Sequence, residues 1–291
     1  MKDNYIFIKA YQSDNVYRKS FNELAQTVFD INFEDWYQNG YWTEKYIPYS
    51  FLHKDKVIAN VSVSPMKFVH NGIIKNYVQL GTVMTEEAYR NQGLIRRLMQ
   101  EVDSDYSNKV DGFFLFANET VLNFYPKFGY ERVKEHSFYQ HTDIDCEMTA
   151  RRVPMKTRED FKLLEAAVNN SCTQSSVWMI ENTELIMFYA TSFMNQSIYE
   201  IKNQNAYAIA EFHQGELFLH QVFSPEKVNL DRIIASFGKE VKKVTLGFTP
   251  LEDVGFQWEE SKGEDTVLYG KGSSLVDMVH WKQRIPTLSH T

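Results

Sequence analysis

A chain of 291 residues, 43% hydrophobic and 15% aromatic, has room for two domains of ordinary size and is too apolar to be disordered. Its 31 Lys and Arg against 38 Asp and Glu leave a net charge of −7, which argues against a nucleic-acid protein and suits a cationic small substrate. Cys146 and Cys172 without any Cys-x-x-Cys or histidine cluster support neither a disulfide framework nor a metal site, and no apolar run is long enough for a signal peptide or a membrane span, so a cytoplasmic protein is expected.

In chain order, Tyr5 to Ala10 alternates as a first strand, and Phe21, Leu24, Ala25 and Val28 share one face of a helix over Ser20 to Phe29. A very aromatic segment, Phe33 to Trp42 and on to Phe51, carries Glu34, Asp35 and Trp36, a set able to hold an ammonium group; packing of the same aromatics into a core is an equal reading. Phe51 to Val57 and Ile58 to Pro65 read as a hairpin about Lys54-Asp55-Lys56. Met66 to His70 then turns at Asn71-Gly72, a strong hairpin signal, into Ile73 to Val78.

Leu80 to Thr85, β-branched and uncharged, reads as a buried strand, and after the polar turn Glu86 to Gln92 comes Gly93. Leu94, Ile95, Leu98, Met99, Val102 and Tyr106 then recur at helical spacing. The first turn of such a helix exposes N–H groups and partial positive charge, the natural seat of a phosphate, and Gly93 with Arg90, Arg96 and Arg97 favours it further. An ordinary strand, turn and surface helix is the plainer alternative.

Downstream, Phe113 to Ala117 is a continuous apolar run expected beside Leu80 to Thr85, ending at Asn118. Val121, Leu122, Phe124 and Tyr125 suggest a short helix stopped by Pro126, and Lys127 to Tyr130 turns into a strand from Val133 to His141.

Arg90-x-x-Gly93-x-Ile95 resembles the pyrophosphate motif of the GNAT N-acetyltransferase superfamily, departing from it at Ile95, and with Arg97-Leu98-Met99 it is similar to the tandem, enhanced-intracellular-survival type of that superfamily. Asn118 followed by Phe124-Tyr125-x-x-x-Gly129-Tyr130 resembles the second motif. The resemblance implies an α/β (α+β) fold, a mixed and mostly antiparallel sheet flanked by helices, whose central parallel strands splay after Thr85. It implies acetyl-CoA as co-substrate, with Val83, Met84 and Thr85 along the pantetheine and Arg90, Asn91, Gln92, Gly93, Leu94, Ile95 and Arg96 on the pyrophosphate. Asn118 would close the far wall, and Tyr125 would be general acid, its reference pKa of about 10 lying above that of a thiol at about 8.5. Glu34, Asp35 and Trp36 fall in the region that covers the acceptor pocket.

Around Ala150 to Pro154 a basic, proline-ended stretch marks a boundary, giving residues 1–148 as the transferase unit and 149–291 as a degenerate second unit with a C-terminal tail from Ser273. Phe161 to Ala167 and Leu230 to Phe237 suggest helices. Ala206 to Glu211 and Glu216 to Phe223 suggest strands, Val241 to Phe248 mirrors Phe113 to Asn118, and Val254-Gly255-Phe256 mirrors Phe128-Gly129-Tyr130. Ser224 to Asn229 lacks glycine and holds Pro225, so no second cofactor site is expected. No base is identifiable; Glu34, Asp35, the C-terminal carboxylate and a water chain stay open. The functional expectation is acetyl transfer to a primary amine of a small molecule or peptide, without metal, membrane or nucleic acid, and with oligomeric state, homo-oligomer included, left open. A non-catalytic CoA-binding protein is the alternative, and longer acyl or aminoacyl transfer a third reading.

Overall fold

The computed structural model describes residues 5–261, 266–272, 275 and 282–291, so most of the tail expected from Ser273 lies outside the described residues. The first half holds strands β1 (Ile6–Lys9), β2 (Ile47–His53), β3 (Lys56–His70), β4 (Ile73–Thr85), β5 (Gly112–Asn118), β6 (Glu131–Arg132) and β7 (His136–His141), with helices α1 (Asn15–Phe29), α2 (Glu34–Gln38) and α3 (Leu94–Tyr106). The second holds β8 (Arg151–Arg152), β9 (Val177–Ile180), β10 (Ile198–Ile201), β11 (Ala206–His213), β12 (Glu216–Phe223), β13 (Lys243–Leu246), β14 (Gln257–Glu260) and β15 (Thr266–Lys271), with α4 (Arg158–Asn169), α5 (Thr183–Thr191) and α6 (Leu230–Ala235).

The hairpin signals fall where expected: Lys54 and Asp55 (φ 51° and 61°) and Asn71 and Gly72 (φ 47° and 81°) are left-handed pairs that match strand twist. Between them β3 runs unbroken, joining the two strands expected at Ile58 to Pro65 and Met66 to His70. Likewise Ile73 to Val78 and Leu80 to Thr85 are one strand, β4. β3 shows little alternation because helices cover both faces: α1 buries Phe21, Leu24 and Ala25 in a central cluster with Phe68 and Tyr77, while α3 buries Leu94, Leu98, Met99 and Val102 against Val78 and Leu80. A third cluster lies between the second sheet and α6, built on Ile233, Ile234, Leu219 and Val244.

The strands form two sheets, ordered β1-β2-β3-β4-β5-β15-β6, with β9 added to β3, and β14-β7-β13-β12-β11-β10-β8. This is the mixed α/β architecture expected, and β4 with β5 and β12 with β13 are its parallel pairs among the described residues. The boundary expected between residues 148 and 149 is crossed by strand pairing three times, once where β9 joins β3. β7 leaves the first half to pair with β13 and β14 of the second sheet, and β15 returns from the second half to pair with β5 and β6 of the first.

Candidate active site

β4 and β5 pair only from Tyr77↔Gly112 to Leu80↔Leu115. The splay thus begins after Leu80, five residues before the expected Thr85, and the run Phe113 to Ala117 lies beside Tyr77 to Leu80 rather than beside Leu80 to Thr85. Beyond it, Met84 and Thr85 stay on β3 (Asn60↔Met84, Ala59↔Thr85), while Phe116 to Asn118 stay on β15. Facing edges of two strands are left open to each other, and an extended amide chain is the natural guest for such an edge.

The edge of β4 is also bulged. Its register against β3 shifts between Asn60 and Ser62, and Thr82 takes φ 45°, a left-handed conformation that is costly for a β-branched residue. A buried polar chain holds it there. The Asn60 amide donates to the Thr82 carbonyl (2.9 Å) and to Ser62 Oγ (2.9 Å); Ser50 Oγ donates to Asn60 Oδ1 (2.8 Å), and Tyr11 shares a hydrogen bond with Ser50 (2.6 Å). On the other side Tyr46, whose phenol burial pushes up to about 12, bonds its hydroxyl to Thr82 Oγ1. None of Tyr11, Tyr46, Ser50 or Asn60 carries a motif; each is recruited from a distant stretch.

At the C-terminal end of β4 the loop to α3 contains Asn91 (φ 63°) and Gly93 (φ 74°). Gly93 is the N-cap of α3 and offers no side-chain acceptor, so the first-turn N–H groups of Leu94, Ile95 and Arg96 face outward unpaired, with the helix dipole behind them. Arg90 and Arg96 are exposed beside the loop, Arg90 reaching the Thr85 carbonyl (3.4 Å) and Arg96 lying 5.7 Å from the Phe128 ring. Arg97 instead stacks on Phe51 (4.2 Å), away from the loop. Gln92 accepts from Tyr5, and the Leu94 side chain is buried, so Leu94 offers the loop its main chain alone. Ile95 packs half-buried under the helix.

Tyr125 is 5% exposed, sits in the cluster that α3 closes, and packs its ring edge on Tyr130 and Tyr269. Burial alone pushes its phenol up to about 12, and its hydroxyl makes no hydrogen bond among the described residues. Asn118 ends β5 exposed, its Oδ1 accepting from the Thr120 N–H (3.1 Å) and hydroxyl (2.6 Å), which leaves the Nδ2 group outward.

The acidic aromatic segment is committed elsewhere. Glu34 forms a two-pronged pair with Arg18 (3.0 and 3.2 Å) and accepts from Asn22 and Gln38, and the Arg18 guanidinium holds its carboxyl below the ordinary carboxylate range. Trp36 is buried against Phe33 and Phe188 and donates to the Glu184 carbonyl (2.8 Å). Asp35 is exposed on α2. The packing reading of this segment is the one observed, and Tyr46 is its link to β4.

The residues that do reach the open edges come from the end of the chain. A Cβ at Gly81 would run into the main-chain oxygen of Thr291; Thr291 Oγ1 bonds Gln79 and lies 3.4 Å from Ser64 Oγ. His290 stacks on Phe116 of β5, ring centroids 4.4 Å apart, with burial pulling its imidazole down to about 4 and its carbonyl accepting from Tyr189. Gly81 held the one sequence signal for this approach, a glycine inside a β-branched strand.

The second sheet repeats the frame without the loop. β12 leaves β13 after Leu219↔Leu246, and its register against β11 shifts between Ile209 and Ala210. Yet α6 is capped by Asn229, Gln174 takes the Val228 N–H (3.2 Å), and Thr287 fills the space at Gly247, its N–H on the Gly247 carbonyl (2.8 Å) and its hydroxyl 3.0 Å from His220.

Among the described residues no helix is long and apolar enough to cross a membrane, and no group of acidic, His and Cys side chains could hold a metal ion. Residues 10–133 match the model of the acetyltransferase (GNAT) domain family. Solved structures share the fold. A conserved Enterococcus faecalis protein described as a "Probable N-Acyltransferase" is 15% identical over 94% of this chain and 73% of its own (TM-score 0.61). A GCN5-related N-acetyltransferase of Kribbella flavida is 14% identical over 97% and 74% (0.57), and Eis1 of Mycobacterium abscessus 11% identical over 90% and 73% (0.53). No curated protein matches the sequence.

Proposed function

We propose that this chain, whose residues 10–133 match the acetyltransferase (GNAT) domain family, moves an acetyl group from acetyl-CoA to a primary amine of a small molecule or peptide. The observation that carries the reading is the uncapped α3 N-terminus at Gly93, set at the end of a splayed and bulged β4, when its counterpart α6 is capped by the Asn229 side chain. The donor set fits the co-substrate: N–H groups of Leu94 to Arg96 with the cations of Arg90 and Arg96 for a pyrophosphate, and the open edge from Thr82 to Thr85 for a diamide.

The bulge leaves Thr82 and Val83 without ladder partners on β3, so main-chain N–H groups there are available to stabilise charge developing on a carbonyl oxygen. Tyr125, protonated throughout the neutral range, donates a hydrogen bond to the departing thiolate. With its phenol near 12 and a thiol at about 8.5, this is stabilisation of the thiolate rather than complete proton transfer. The main-chain oxygen and hydroxyl of Thr291, with the neutral imidazole of His290, line the side from which an amine approaches.

Calorimetric titration of acetyl-CoA into wild type and Gly93→Glu tests the site. We expect about one equivalent bound by wild type and affinity lowered at least ~100-fold, or about 2.7 kcal/mol, in the variant. No binding to either protein sinks the transferase reading, whereas binding without thiol release across a panel of amines favours a CoA-binding protein.

A further inference from the structure

Beside the parting of β12 from β13 lies a cavity of about 360 Å³, within the range of small-molecule sites, which usually span about 300 to 1,000 Å³. Trp178 and Phe223, an edge-to-face pair with centroids 6.1 Å apart, form one wall, and Ile186 and Leu288 are apolar lining. The polar lining is underused. Gln221 is 5% exposed, and its Oε1 finds no hydrogen-bond partner among the described residues. Asn182 spends its Nδ2 group on the Met179 sulfur (3.4 Å), a weak acceptor. Buried amides are almost always satisfied, so an orphan on a residue that lines a cavity marks the place of a missing partner.

The chemistry of that partner follows from the lining. No Lys or Arg lines the cavity, and Glu181, its one carboxylate, is held by Lys67 (2.7 Å). A carboxylate ligand would be desolvated without a counter-ion, and an ammonium ligand would find its only anion already paired. Gln221 asks for a donor to Oε1 and an acceptor for Nε2 on neighbouring atoms, which a carboxamide supplies, and the Trp178–Phe223 wall asks for a flat apolar body. We infer that this cavity is a binding site for a compact aromatic carboxamide, paired amide to amide with Gln221 and stacked within the apolar walls. It is separate from the Gly93 loop. Its wall includes Leu288, three residues before Thr291 at the first wedge.

Benzamide is the probe, benzoate its charged control, and saturation-transfer NMR with titration the readout, none of which involves acetyl transfer. Saturable binding of benzamide is expected, at least tenfold weaker for benzoate and at least tenfold weaker in Gln221→Leu, which should remain folded with a melting temperature at or above wild type. If Gln221→Leu does not fold, Ile186→Phe, which fills the cavity and keeps the amide, must abolish benzamide binding. Absence of saturable binding to wild type, or equal affinity in the variant that folds, overturns the site; benzoate binding as tightly as benzamide overturns the carboxamide assignment.

Discussion

Tyr125 holds its proton at every working pH because burial, and no charged neighbour, pushes its phenol up to about 12. Tyr125→Phe is therefore expected to lower kcat about 10- to 100-fold, the modest end of proton-donor contributions, with KM for acetyl-CoA unchanged because the hydroxyl acts only as the thiolate departs. Steady-state thiol release decides; an unchanged kcat removes Tyr125 from the chemistry. His290 makes a stability prediction. Its imidazole lies near 4 in the fold against 6.5 ordinarily, so between these values the unfolded chain takes up a proton that the native chain refuses. Native stability on its account is lost as pH falls from about 6.5 to 4. Glu135, raised by burial to about 6, pulls the opposite way over part of that range, so the comparison is with His290→Leu: denaturant midpoints should depend less on acidification in the variant, and parallel curves would refute the burial of His290. Gly93 and Tyr125 were legible in the sequence because each sits in a local spacing. Thr82 and Asn60 were not, since a positive φ at a threonine is imposed by partners 22 or more residues away.

The element that turns a strand into a site is β4, and what distinguishes it from a plain ladder is the polar chain behind its bulge. Asn60→Ala leaves the Thr82 carbonyl and Ser50 hydroxyl without their partner, an expected cost of about 1 to 3 kcal/mol. The same change lets the bulge relax, so kcat should fall while acetyl-CoA affinity, set mainly at the α3 N-terminus, stays within about threefold of wild type, under 1 kcal/mol. Urea unfolding and calorimetry measure the two effects, and equal loss of both kcat and affinity would show that Asn60 merely supports the fold. The hairpins, α1, α3 and β5 were readable from periodicity and turn chemistry. The start of the splay was not, because it depends on β15 taking the outer edge of β5, a pairing between residues about 150 apart in sequence.

For the whole molecule, the exchange of β7 and β15 makes the two sheets one cooperative body. Residues 1–148 and 149–291 made separately should each be unfolded or aggregated, because the first fragment lacks the neighbour of β5 and the second lacks the strand between β13 and β14. Circular dichroism and gel filtration decide, and a monomeric, cooperatively melting fragment 1–148 would contradict this. The repeat of two similar halves was visible in sequence, but which strand each half lends the other was not, since both lenders look like ordinary strands of their own half. The exchange also sets a timetable for synthesis. A ribosome delivers the chain from its amino end, and the first sheet cannot close until Thr266–Lys271, about 150 residues after the strand it pairs with, has emerged. Until then β5 waits with a bare edge, so the nascent protein must be kept from pairing with its neighbours while the whole stretch between β5 and β15 is made.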